Sequence, residues 1–251
     1  MEYVKSETHH GITSIEFYHP QSNSLPSKIL EKLAHEIHFA GTHPETRVIV
    51  LKSAGDKSFC AGASFNELME IHTEAQGLRF FSGFAQVINA MRKCPKFIIA
   101  RIQGKCVGGG VGLAAAADYT IAVKGADIKL SEIAVGIGPF VVGPAVERKI
   151  GSAAFSALAI DGHMWRNSEW AKTKGLFAEL HENTANMDES IGRLTTHLAQ
   201  SNPEAMAEMK KMFWADASHW DDLLSKRAAI SGKLVLSSFS KNAIEKFKTK
   251  A

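Results

Sequence analysis

Ile102-Gln103-Gly104-Lys105-Cys106-Val107-Gly108-Gly109-Gly110-Val111-Gly112-Leu113-Ala114-Ala115-Ala116-Ala117-Asp118 is the stretch on which the fold turns. It begins where the apolar run Phe97-Ile98-Ile99-Ala100 ends, and that run reads as a buried strand. Three consecutive glycines follow, then a run of small residues from Leu113 to Ala117 that reads as a helix packed too closely for larger side chains. A strand, a glycine turn and an alanine helix leave backbone N–H groups unpaired at a helix N-terminus, with the positive end of the helix dipole behind them. Such a turn suits an anion or a developing oxyanion. Close helix packing alone would call for the same glycines.

Working outward, Val48-Ile49-Val50-Leu51 is a second short apolar run of strand type. It leads through Ser58-Phe59-Cys60-Ala61-Gly62-Ala63-Ser64 into an expected helix from Phe65, with Ser64 as its N-cap. The chain therefore holds two strand–loop–helix units with small residues at the turn, and each could supply one N–H to the same oxygen.

These two segments resemble the crotonase superfamily. Ser58 to Ser64 is similar to its (S/A)F(C/S/A)AGAD segment, Ile102 to Gly110 to its (V/I)xGxxxGGG segment, and Ala117-Asp118 to the pair that follows. The resemblance covers about Val48 to Gly151 and, more loosely, the whole chain. It implies an α/β fold, a spiral of β-β-α turns with a helical C-terminal extension. It implies one domain over 1–251, with a core to about 190 and C-terminal helices from about 191 used in trimer packing. It also implies that the N–H groups of Ala61 and Gly109 form the oxyanion hole for a coenzyme A thioester. Ser24, Ala61, Gly62, Ala63, Ser64, Gly108, Gly109 and Phe140 would then contact that substrate, with the adenine near the Ala61–Ser64 loop.

Composition sets the outer limits. The chain has 251 residues, 45% hydrophobic and 22% charged, as in an ordinary soluble globular protein. A net charge of +3 is too small to argue for nucleic acid. Cys60, Cys94 and Cys106 form neither a disulfide framework nor a zinc pattern, and read as free thiols in a reducing compartment. With no N-terminal apolar segment and no long apolar run, the expectation is a cytoplasmic protein without a membrane span.

Tyr3 to Phe17 reads as a hairpin turning at His9-His10-Gly11. Ser22-Asn23-Ser24-Leu25 matches the N-A-L segment that the resemblance places near the pantetheine and adenine of coenzyme A. Ile29, Leu30, Leu33, Ile37 and Ala40 recur at helical spacing. His35 and His38 lie in that helix as an HxxH pair, but four ligands make a structural zinc site and no others are near. Leu68 to Met91 reads as a helical region interrupted at Gly77 and Gly83, with Phe80, Phe81 and Phe84 on a face that could wall an acyl pocket. Tyr119 to Val123 is an expected strand. The remainder reads as helices: 143–150, 153–160, 168–174, 187–200, 203–214 and 220 onward.

An enolate intermediate needs a base near the α-carbon. Glu132 matches the family's P-E-(I/L) glutamate, with Ser131 in place of the usual proline. Among Ile128, Leu130, Ile133, Ala134 and Val135 its carboxylate should be partly desolvated and its pKa raised. Asp56, His72 and Asp118 are conceivable acids, the first a loop residue and the last structural.

Two departures bear on the reaction. Family hydratases typically carry a second glutamate where this chain has Gly112, and a glycine after the proline where it has Phe140. One glutamate suffices to move a proton from C2 to C4 of a 3-enoyl-CoA. The resemblance therefore implies an enoyl-CoA hydratase or isomerase, leaning to Δ3-Δ2 isomerisation. Hydration with a different second acid, thioester hydrolysis or decarboxylation, and acyl-CoA binding without catalysis all stay open. No permanently bound cofactor is expected, coenzyme A being part of the substrate, and the expected assembly is a homotrimer or hexamer.

Overall fold

The computed structural model describes residues 1–248. Strands β1 (Tyr3–His9) and β2 (Ile12–Tyr18) form the expected antiparallel hairpin. Its turn residues His10 and Gly11 both have positive φ (50° and 82°), the conformation that matches the twist of the flanking strands. Helix α1 (Ser27–Thr42) buries Ile29, Leu30, Leu33 and Ile37. Then come β3 (Val48–Ser53), β4 (Ser58–Cys60), α2 (Phe65–Met69) and α3 (Glu74–Lys93). Next are β5 (Phe97–Ile102), β6 (Lys105–Val107) and α4 (Gly109–Ala116), followed by β7 (Tyr119–Val123), β8 (Ile128–Lys129) and a 3₁₀ turn, Glu132–Val135. The rest comprises α5 (Gly143–Ile150), α6 (Ser152–Ile160), α7 (Ser168–Thr173), β9 (Glu179–His181), α8 (Thr184–Ala199), α9 (Pro203–Phe213), α10 (Trp220–Leu234) and α11 (Ser238–Lys248).

Each turn of the spiral thus lays one strand in a large sheet, one in a small sheet, and then enters a helical segment. The large sheet has the order β1-β2-β3-β5-β7-β9 and the small one β4-β6-β8, with every pair after the hairpin parallel. Val48 to Leu51 pair with Phe97 to Ala100, all buried. Such continuous apolar runs suit parallel strands covered on both faces. The α/β spiral with helical C-terminal extension is therefore observed as expected.

Three expectations are corrected. Glu179–His181 is a strand, the sixth of the large sheet, in the gap between the expected helices 168–174 and 187–200, where no strand was expected. It is three half-buried residues long, too short to show a period. The region from Leu68 to Met91 is broken not at its glycines but between α2 and α3, where Thr73 and Gln76 form a capping box. Gly77 and Gly83 lie inside α3. A Cβ at Gly77 would come 2.6 Å from the Gly232 backbone of α10, and one at Gly83 would come 3.0 Å from Leu30. These glycines permit close helix crossings rather than ending the helix. The C-terminal stretch from Trp220 is likewise two helices, and α10 packs along α3 of its own chain.

Asp118 is structural. Its Oδ2 lies 2.8 Å from Lys210 Nζ and accepts the Ile98 N–H at 2.8 Å, while Oδ1 accepts Trp214 Nε1–H at 3.0 Å. Lys210 also donates to the Lys96 carbonyl. This buried set ties α9 to the end of α4 and the start of β5.

Candidate active site

Three turns of the spiral meet at one cleft. After β4, Gly62 takes φ 89°. A Cβ there would sit 2.9 Å from the Val107 carbonyl and 3.5 Å from the Gly109 nitrogen, so the first turn lies directly on the second. Gly108 adopts φ 51° and ψ −114°, a backbone region open essentially to glycine, and donates to the Lys129 carbonyl at 2.8 Å. The N–H of Gly109, first in α4, has no intrahelical acceptor.

The hydrogen bonds of the first loop bear on one expected role. Ala61 N–H donates to the Ser22 carbonyl at 3.1 Å, so it is already engaged. Leu25 N–H donates to the Gly62 carbonyl at 2.8 Å and Gly62 N–H to Cys60 Sγ at 3.4 Å. Ala63 N–H takes part in none of these bonds, and Ala63 lines the cleft beside Gly109. The two alanines flank one glycine, and the sequence does not tell which of their N–H groups faces inward. The connection from β3 to β4, which leads into this loop, is held by two buried amides that lie outside the expected site residues. Asn23 Nδ2 donates to the Ala54 and Ser58 carbonyls, and Gln103 Nε2 to Ser53 Oγ at 2.8 Å and the Gly55 carbonyl at 3.1 Å.

Glu132 opens the 3₁₀ turn after β8 and lies over the same glycines. A Cβ on Gly108 would be 3.0 Å from its Oε1. Its Oε2 is buried with no hydrogen-bond partner, although the residue as a whole keeps some exposed surface. Burial pushes its pKa up to about 7, against a small opposing effect of a backbone hydrogen bond. The expected desolvation is present, but its source differs in part. Ile133 is 49% exposed, and the cleft around the carboxylate is walled by Phe84, Val135, Pro139, Phe140 and Val142 among others.

The cleft has a volume of about 590 Å³ including its open mouth. Of the expected substrate contacts, Ala61, Gly62, Ala63, Gly108, Gly109 and Phe140 line it. Phe81 and Phe84 line it too, as expected of that helix face. Ser24 and Ser64 do not. Ser24 Oγ pairs with His19 Nδ1 at 3.0 Å, and Ser64 caps α2 by accepting the Glu67 N–H. Ser231 of α10 also borders the cleft, far along the chain and with no local motif to announce it. Among the described residues lining the cleft, Glu132 is the only acid.

Gly112 has a steric reason to be glycine. A Cβ there would lie 2.5 Å from Val142 Cγ1 and 2.7 Å from Val142 Cβ. No group of three or more His, Cys, Asp or Glu side chains able to hold a metal occurs among the described residues, and the HxxH pair gains no further ligand. No described helix is long and apolar enough to cross a membrane.

The enoyl-CoA hydratase/isomerase family model matches residues 7–250. The chain belongs to that family, within the crotonase superfamily. It is 26% identical over 238 residues to a probable enoyl-CoA hydratase of Bacillus subtilis, covering 94% of this chain and 92% of the relative. It is 25% identical over 226 residues to a peroxisomal Delta(3,5)-Delta(2,4)-dienoyl-CoA isomerase of Arabidopsis thaliana, covering 84% and 80%. Its fold matches the crystal structure of an enoyl-CoA hydratase from Bacillus halodurans with a TM-score of 0.90, at 22% identity over 97% and 99% of the two chains. The family thus includes both hydration and double-bond migration, and the residues of the cleft must distinguish them.

Proposed function

We propose that this crotonase-family protein is an enoyl-CoA isomerase that moves a double bond from C3 to C2 of an acyl-CoA thioester. The observation that carries this reading is Glu132: one carboxylate, alone in the cleft among the described residues, unpartnered at Oε2, with its pKa raised to about 7 beside free backbone donors. The N–H groups of Ala63 and Gly109 hold the thioester oxygen. Glu132 removes a C2 proton, the C–H electron pair forms the enolate, and the oxygen takes the negative charge. As the carbonyl re-forms, the electrons shift to a C2=C3 bond and C4 takes the proton back from Glu132. One group near neutral pKa can serve both steps. Ala61 is not assigned a donor role, since its N–H is already paired.

The donor assignment is tested by Ala63→Pro, which deletes one N–H. Ala63 has negative φ and its N–H takes part in none of the loop's hydrogen bonds, so the loop loses no bond. Isomerisation of 3-hexenoyl-CoA is expected to slow on the order of 100-fold. An unchanged rate in a folded variant would refute the assignment.

Hydration normally calls for a second acid, and the cleft has no room for one at position 112. Gly112→Glu alone is expected to lose about 1–3 kcal/mol through overpacking against Val142 and to gain no crotonyl-CoA hydration. Gly112→Glu combined with Val142→Gly should recover stability and raise hydration. Urea midpoints and hydration rates of both variants decide this, and hydration gained by the single variant would contradict the steric reading.

Self-association as a homotrimer or hexamer belongs to the same reading. The apolar side chains Met209, Met212 and Phe213, exposed on α9, support it. Three unpaired, buried cysteines support a reducing, cytoplasmic setting.

A further inference from the structure

The crossing of α3 and α10 is a contact of backbones. A Cβ on Gly77 would lie 2.6 Å from the Cα of Gly232, and one on Gly232 would lie 2.6 Å from the Leu78 nitrogen. That closeness sets the preceding residue of α10, Ser231, against the cleft. Ser231 is 2% exposed, and its hydroxyl has no hydrogen-bond partner among the described residues. Thr173 and Thr195, inside α7 and α8, return their hydroxyls to the carbonyl four residues back, at 2.8 Å each. Ser231 does not, and a buried hydroxyl left unpaired costs stability unless something supplies its partner. The neighbouring walls offer none, since Leu68, Phe81, Phe84 and Val142 are hydrocarbon. Ser131, the other hydroxyl on the cleft, is half-exposed and open to water.

We propose that Ser231 binds a neutral oxygen, a keto or hydroxyl group, carried on the acyl chain beyond the carbons that react. The inference rests on the thioester reading of the cleft and names its substrate class, an oxygenated acyl-CoA rather than a plain alkyl one. The position follows from α3. Phe84 abuts the donor turn, since a Cβ on Gly109 would overlap its ring. Gly77, where α10 crosses, lies two turns back along α3, about 10 Å at the helical rise per residue. The hydroxyl therefore meets the chain past the C2 to C4 atoms that exchange the proton. Neutrality follows from the lining. Among the described residues that line the cleft none is Lys, Arg or His, so a carboxylate tail would find no counter-charge and would face Glu132. A hydrocarbon tail would cover the hydroxyl and leave it unpaired. A keto oxygen accepts its hydrogen, and a tail hydroxyl can accept it as well.

The test is calorimetric titration of wild type and Ser231→Ala with octanoyl-CoA and its 4-, 5-, 6- and 7-oxo derivatives. Alanine removes only the hydroxyl and is the best helix former, so the variant should fold. Wild type is expected to bind at least one oxo isomer about five- to tenfold more tightly than octanoyl-CoA, the contribution of one buried hydrogen bond. Ser231→Ala should abolish or reverse that preference. It should bind octanoyl-CoA as tightly as wild type or more so, because no hydroxyl is then left unpaired. A wild type that prefers no oxo isomer, or a preference that survives Ser231→Ala, overturns the proposal while leaving the thioester site standing. So does a loss of crotonyl-CoA hydration in Ser231→Ala with the binding preferences unchanged, which would give the hydroxyl to a water. Failure of wild type to bind any of these thioesters overturns the thioester reading and the proposal with it.

Discussion

Glu132→Gln is expected to slow 3-hexenoyl-CoA isomerisation by about 100- to 10,000-fold, the usual contribution of a positioned acid–base group. Binding of the thioester should change little, since the amide keeps the size of the carboxyl and Oε2 makes no hydrogen bond to lose. The wild-type rate should rise with pH through about 7, because the carboxylate, not the acid, takes the first proton. The residual rate of the variant should lack that rise. Brisk hydration that persisted in Glu132→Gln would point to another acid and end the one-carboxylate mechanism.

The same residue makes a stability prediction of definite sign. Its folded pKa is raised from 4.5 to about 7, so the folded state holds the proton more tightly than the unfolded chain does. That contribution is fully present below pH 4.5 and is lost as pH rises through about 7. The shift corresponds to about 3 kcal/mol. Glu132→Gln should therefore be more stable than wild type at pH 8 by up to about that amount, and the difference should close toward pH 4.5. Urea denaturation at the two pH values reads both the sign and the window. A variant less stable than wild type at pH 8 would mean that the carboxylate is held by a partner, contrary to its bare Oε2.

The second large effect concerns Asp118. Asp118→Asn leaves the ammonium of Lys210, whose side chain is 2% exposed, without its counter-charge. Breaking a buried pair in this way costs about 3–5 kcal/mol, because one charge stays desolvated and uncompensated. The loss should appear as a lower urea midpoint. The amide oxygen can still accept one of the Ile98 and Trp214 donors and Lys210 keeps the Lys96 carbonyl, so the variant should still fold at low denaturant. A loss below about 1 kcal/mol would place the pair among those that contribute little.

Legibility followed the range of the interactions. The runs Val48 to Leu51 and Phe97 to Ala100 were readable as strands because parallel strands buried on both faces need unbroken apolar segments. Strand β9 was not, since its three half-buried residues owe their conformation to pairing with β7 rather than to their own pattern. Gly77 and Gly83 show the same limit from the other side. Read locally, a glycine weakens a helix. In the fold, each marks where another chain segment comes too close for a Cβ.

By itself, the amino-acid sequence determined the family, the two glycine turns, the position of Glu132 and the lack of a carboxylate at 112, because all of these are residue identities at set spacings. Tertiary structure decided the rest. Ala61 N–H is taken by Ser22 while Ala63 N–H makes none of the loop's hydrogen bonds, and a hydrogen-bond partner some forty residues away cannot be read from a motif. Val142 closes the space beside Gly112, and Ser231 brings the C-terminal helix α10 to the cleft. The pKa of Glu132 likewise depends on walls drawn from several elements. Desolvation, steric exclusion and hydrogen-bond occupancy are properties of what lies across a gap, and only the folded chain supplies the other side.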